Sequence, residues 1–380
     1  MSGEDVLRAW AYLSRVAEPP CAPLADFTAR VGPVEAADAI RRHGAPDDVV
    51  PHVQARRGID CAAEDIDLLT RRGGRLITRD HAEWPYLAFT SFGSASMRRR
   101  TDGSAPLVLW ALGPARLDEV AARSAAVVGT RAASAYGEHV ASDFAAGLVE
   151  RDVAVVSGAA YGIDGAAHRA CLAADGVTVA VLAGGVDIPY PAGHSALLHR
   201  IAVGGLVVSE YPPGVRPARH RFLTRNRLVA ALSGVTVVVE AGLRSGAAST
   251  AAWADGLGRA VCAVPGPVTS AASAGCHALI RRGAHLVTRP DEVVELAGRA
   301  GELAEEPEHP SSPLDALSDE QRRVYEALPS RGVRTVDEIA VTSGIPAEGL
   351  LAPLAMLEIA GLVQRSDGRW RIASRTDGKP

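Results

Sequence analysis

Between residues 125 and 266 the chain repeats a short, valine-rich apolar run six times: AAVVG, VAVVSG, VTVAVLAGG, GLVVSE, VTVVVE and AVCAVPG. Such runs, four to eight residues long and closed by Gly, Ser or Glu, are the pattern of strands covered on both faces of a parallel sheet. Alanine-rich segments of helical spacing lie between them, among them SAYGEHVASDFAAGLVER and GAASTAAWADGLG. Strand and helix alternating at this period predict a doubly wound α/β domain over about residues 125–300.

The rest of the chain reads differently. Residues 1–72 carry turn residues (Pro19-Pro20, Gly32-Pro33, Gly44, Gly58) between short helical stretches, which predicts a small helical domain. A loop-rich connection through Arg98-Arg99-Arg100 leads to an expected strand at Leu107–Leu112; the three arginines read as a solvated loop or an added phosphate contact. The acidic, proline-rich stretch 301–316 is expected to be a linker. Residues 317–375 show a helix, a second helical stretch interrupted by a glycine turn, and a terminal hairpin, the plan of a winged helix. The basic surplus expected on its second helix is modest, which favours a protein-contact or structural role over duplex binding.

Charge and composition exclude several functions. With 44 acidic and 40 basic residues the formal charge is −4, so any anion site must be local. The sole lysine is Lys379, which removes both a phosphate loop built on Gly-Lys-Ser/Thr and Schiff-base chemistry. Five scattered cysteines form no metal-site spacing, and reduced thiols are expected. No uninterrupted apolar run reaches ~18 residues, and the N-terminus has no signal-peptide pattern, so a cytoplasmic protein without a membrane segment is expected.

In an open α/β sheet, ligands bind beyond the carboxyl ends of the strands, where helix N-termini present free N–H groups. There this chain places Gly129-Thr130-Arg131, Ser157-Gly158 and Ser245-Gly246. The first is not a dinucleotide fingerprint, because Arg131 stands where a second glycine belongs and no acid closes the second strand. A guanidinium at that corner suits a phosphate. Asp164 and His168, four apart, read as an acid–base or metal pair or, preferably, as a helix cap and a hydrogen-bonded core histidine. The strongest signal is residues 215–227, VRPARHRFLTRNR, with five arginines, one histidine, one aromatic and no acid, entering a helix expected near Arg225. Arg219, Arg221, Arg225 and Arg227, with Phe222 and Asn226, are therefore candidates for single-stranded nucleic acid: forks for phosphates and a ring for a base. No catalytic residue, metal or cofactor is expected.

VVGTR-x-x-x-x-YG, SG-x-A-x-GID-x-x-AH, VLAGG-x-D-x-x-YP, SEYPPG, F-x-x-RNR, VVVEA-x-x-x-SG, AVPG and LI-x-x-GA occur in this order. Together they resemble the DNA-processing protein A (DprA/Smf) family over roughly residues 80–290. The resemblance implies an extended Rossmann-like domain, residues 80–300, that binds single-stranded DNA without catalysis, forms a homodimer and loads the RecA recombinase in natural transformation. It also implies a small N-terminal domain, like a SAM or helix-hairpin-helix module, and a C-terminal winged helix. The site residues implied are Arg131, Arg219, Phe222, Arg225, Asn226 and Arg227, with His277, Ile280 and Leu286 in the dimer contact. Leu223 departs from the proline usual after the phenylalanine. The rival from another class is a nucleotide phosphoribohydrolase similar to the lysine-decarboxylase-like group, whose PGG-x-GT-x-x-E motif is not matched by EAGLRSGAASTAAW.

Overall fold

The computed structural model describes residues 3–297, 301–304, 314–315 and 317–373. Two compact units divide at residue 305.

In the first unit, helices α1 (Gly3–Val16), α2 (Ala22–Val31), α3 (Pro33–Arg41), α4 (Val50–Val53) and α5 (Ala62–Arg71) lead into a mixed sheet. Its strands are β1 (Gly74–Ile77), β2 (Leu109–Leu112), β3 (Ser124–Val128), β4 (Ala154–Ser157), β5 (Thr178–Leu182), β6 (Leu206–Ser209), β7 (Val235–Val238), β8 (Ala260–Ala263) and β9 (His285–Leu286). Their spatial order is β1-β2-β6-β5-β4-β3-β7-β8-β9. From β6 to β9 every pairing is parallel, as the apolar runs predict. The antiparallel edge formed by β1 and β2 is additional to that reading.

The connections are α6 (Tyr86–Thr90), α7 (Ala95–Arg98), α8 (Leu117–Ala122), α9 (Ala135–Val149), α10 (Ile163–Ala173), α11 (Ser195–Gly204), α12 (Arg219–Ala231), α13 (Gly246–Gly256), α14 (Ala274–Ile280) and α15 (Pro290–Ala297). Alternate strand residues serve opposite buried faces, which is why the strands carry no charged residue. Ala125 and Val127 meet Phe144, Leu148, Ile163 and Val293 on one face. Ala126 and Val128 meet Leu228, Val229, Trp253 and Phe92 on the other. The helices of residues 1–72 share a third cluster with Trp110, Ala180, Leu182 and Val207 of the sheet, so the change of pattern near residue 72 is not a break in the core.

One local expectation is corrected. Helix α12 starts at Arg219, not near Arg225, because the loop prolines end at Pro217. The triple arginine is exposed, as a solvated reading expects, and Arg100 also lies 3.6 Å from the ring centre of Trp253.

The second unit contains α16 (Asp319–Glu326), α17 (Val336–Ser343), α18 (Ala347–Ile359) and the antiparallel hairpin β10 (Val363–Ser366) with β11 (Arg369–Ile372). Gly344 ends α17 in the left-handed region, φ 69°, a conformation that favours glycine and turns the chain sharply into α18. This is a winged helix around Leu350, Leu354, Leu357, Ile339 and Trp370. The expected basic surplus of its second helix is not there: α18 carries Glu348 and Glu358 and no cation, since the nearby arginines fall beyond Ile359 in the hairpin.

Candidate nucleic-acid interface

After β3 the chain turns to β4, β5 and β6 on one side and returns at β7 on the other, so the crevice of the sheet opens at the carboxyl ends of β3 and β7. A cleft of ≈ 940 Å³ lies there, lined by Gly129, Arg131, Gly158, Asp164, Tyr190, Arg219, Phe222, Arg225, Asn226, Arg244, Ser245 and Gly246.

Its frame is a set of short polar ties. Glu240, at the end of β7, accepts from Ser134 N (2.9 Å) and Ser134 Oγ (2.6 Å), fixing the start of α9 beside the loop that carries Arg131. Asn226 Nδ2 donates to Gly246 O (3.2 Å), joining α12 to the start of α13. Ser245 caps α13 by accepting from Ala248 N (3.2 Å), which leaves the other first-turn amides of that helix at the cleft.

Arg225 is the floor. Its guanidinium donates to the carbonyl of Val181 at the end of β5, while its Nε has no partner among the described residues. Burial pushes its pKa down to about 10, against the favourable field of Asp164, so it remains a cation at neutral pH. Asp164 accepts from the amides of Gly158 and Ala160 (both 3.2 Å); burial raises its pKa and Arg225 opposes the rise. Asp164 therefore braces the β4–α10 loop and is not the cap of α10, whose N-cap is Gly162. A Cβ at Gly158 would overlap the guanidinium of Arg225, so only glycine lets this loop cover the cation. The net result is a buried positive charge with spare donors facing a cavity, which an anion would stabilise.

The wall is aromatic and basic. Phe222 is half-buried, with its ring centre 5.3 Å from that of Tyr190 and 5.3 Å from the guanidinium carbon of Arg131. Arg131, Arg219 and Arg244 are exposed and make no ion pair among the described residues.

Not every candidate from the sequence reaches the cleft. Arg227 is fully buried, ion-paired to Glu210 at 2.6 Å. Arg221 is held by Glu18 through Nε (2.6 Å) and Nη2 (2.9 Å), a carboxylate it shares with Arg56, and it does not line the cleft. Ser157 is buried and donates to Val127 O (2.7 Å). His168 is likewise a core residue, bonded to Thr178 Oγ1 at 2.7 Å, with burial pushing its pKa down to about 3. Tyr190 and Arg244 join the cleft without having been singled out; the signal for Tyr190 was an aromatic in the loop that follows β5 into the same crevice.

His277, Ile280 and Leu286 lie apart from the cleft. His277 Nε2 is 3.0 Å from Gly266 O, Ile280 packs partly on the core, and Leu286 is exposed on β9, the outermost strand of the sheet.

Among the described residues no cluster is suited to a metal ion, and no single helix is long and apolar enough to cross a membrane. Asp164 in the cleft and Glu240 beside it are both engaged by backbone amides.

A family model described as DNA recombination-mediator protein A matches residues 75–298, and one described as the DprA winged helix domain matches residues 307–369. A protein of Mycobacterium tuberculosis named for DNA processing (DprA) is 69% identical over 369 residues, covering 97% of this chain and 95% of that one. The X-ray structure of DNA processing protein A from Streptococcus pneumoniae is similar with a TM-score of 0.62 at 30% identity, covering 79% of this chain and 100% of that one. The corresponding protein from Helicobacter pylori, whose structure describes a single-stranded DNA binding mode, gives a TM-score of 0.50 at 26% identity, covering 58% and 94%.

Proposed function

Because this chain belongs to the DNA recombination-mediator protein A (DprA/Smf) family, a family of DNA-processing proteins and not of enzymes, we propose that it binds single-stranded DNA in the cleft between β3 and β7. The observation that carries this reading is the company Phe222 keeps: a half-exposed ring set among Arg131, Arg219 and Arg225, in a chain whose overall charge is negative. Phosphates would lie on Arg131, Arg219, Arg225, Arg244 and the first amides of α13, and one base would stack on Phe222 and Tyr190. A single strand can turn a base into such a cleft, whereas a duplex keeps its faces stacked. The relative from H. pylori, described for its single-stranded DNA binding mode, supports the same class of ligand.

The fuller role is to shield incoming single strands in the cytoplasm and to load the RecA recombinase on them during natural transformation, acting as a homodimer. For the dimer, β9 is an open sheet edge with Leu286 exposed, and a two-fold partner would cover it with the same patch. Fluorescence polarisation with a labelled oligonucleotide, alone and annealed to its complement, tests the ligand: tighter binding to the single strand is expected, and equal affinity refutes it. Leu286→Asp should sediment as a monomer and fail to promote RecA assembly on coated strands; an unchanged dimer places the interface elsewhere.

A further inference from the structure

The winged-helix unit raises a separate question, because the helix that would enter a DNA groove in such a fold is the wrong kind of helix for DNA. One face of α18, Leu350, Pro353, Leu354 and Leu357, is buried in the unit's own core. The opposite face is also apolar: Leu351, Ala352, Ala355, Met356 and Ile359 are all exposed, and the large residues recur at i, i+5 and i+8. Ile359 is 81% exposed and Leu351 62%. A helix that is apolar on all sides belongs where both faces are covered.

The charges on this helix select what covers it. Glu348 in its first turn and Glu358 in its last are both exposed, and α18 has no Lys or Arg. The unit's described cations lie elsewhere: Arg322 and Arg323 on α16, Arg331 and Arg334 between α16 and α17, and Arg365, Arg369 and Arg371 on the hairpin. DNA phosphates would be repelled by both glutamates at the groove. A second copy seated face to face would set acid against acid. A partner with an apolar stripe bordered by cations meets both the leucine–methionine–isoleucine face and the two carboxylates.

We infer that the exposed face of α18 is a docking surface for a partner protein presenting an amphipathic helix whose apolar stripe is flanked by Lys and Arg. The surface belongs to the winged-helix unit and the single-strand cleft to the first unit, so each is measured with its own ligand.

The full-length protein is titrated against a fluorescein-labelled synthetic helix of leucine and lysine at helical spacing, and against the same helix with glutamate for lysine. The lysine helix should bind and the glutamate helix should not. Leu351→Ser/Ile359→Ser and Glu348→Gln/Glu358→Gln each alter only exposed side chains and add no cation. Each pair should weaken binding by at least about tenfold, with thermal unfolding and affinity for single strands unchanged. Equal binding of both helices, or undiminished binding to either variant, overturns the inference. So does loss of self-association in Leu351→Ser/Ile359→Ser by sedimentation, which would make a second copy the occupant. Loss of duplex affinity in that variant would make α18 a DNA reader and overturn it equally.

Discussion

Removing Arg131 changes how binding responds to salt by an amount the cleft itself fixes. Four guanidiniums line it, those of Arg131, Arg219, Arg225 and Arg244. Arg221 and Arg227, equally prominent in the sequence, are tied to Glu18 and Glu210 and do not line the cleft, so they should add nothing to the count. At ~0.7 per phosphate on single strands, four contacts give a log–log slope of about −2.8, and affinity should fall roughly 50-fold between about 50 and about 200 mM salt. Arg131→Ala leaves three, so the slope should drop to about −2.1 and the fall over the same range to roughly 20-fold. Arg131 is exposed, lies over the ring of Phe222 and makes no ion pair among the described residues, so stability should be unchanged. The assay is polarisation titration of one labelled oligonucleotide at four or so salt concentrations. A slope unaltered by Arg131→Ala, or a native slope near zero, refutes the phosphate contacts; a slope that flattens only in an Arg227 variant would mean that the buried ion pair opens to the strand.

Three further outcomes follow from the same geometry. Phe222→Ala should lower affinity by roughly 1–3 kcal/mol with the salt slope unchanged, because stacking releases no counterions; a salt-slope series on the variant checks this. Gly158→Ala, measured by the same titration, should cost at least about tenfold in affinity, since its Cβ displaces the guanidinium of Arg225 from under the loop. Glu18→Ala strips the shared acceptor from Arg221, Arg56 and His220 and should cost about 2 kcal/mol in denaturant unfolding. Burial pushes the Glu18 carboxyl up, but Arg221 and Arg56 hold it below its ordinary value of 4.5. Its stabilisation is therefore complete above that value and lost as pH falls through the lower folded pKa, so native protein and variant should converge in stability under acid.

The parallel sheet was legible because strands buried on both faces leave no charged position to blur the pattern, and the short edge strand β1 was not, since four residues following a helix carry too little periodicity. The cleft was half legible. Arg131, Phe222 and Arg225 follow from position and composition, but the fate of an arginine depends on carboxylates the sequence does not place beside it. Arg221 is matched by a glutamate 203 residues away, and Arg227 by one 17 residues away across the end of β6. The same tie accounts for the early start of α12. Arginines in its first turn oppose the helix dipole and Ala218 offers no side-chain cap, yet Glu18 brings the missing negative charge from another part of the chain.

The central claim, that a single strand lies in this cleft with a base on Phe222, is tested most directly by photocrosslinking an oligonucleotide carrying 5-iododeoxyuridine to the full-length protein and sequencing the crosslinked peptide. Aromatic rings stacked on the halogenated base react, and the expected sites are Phe222 and Tyr190, with the yield lost in Phe222→Ala/Tyr190→Ala. Crosslinks confined to the winged-helix unit, or an undiminished yield in that variant, would contradict the account.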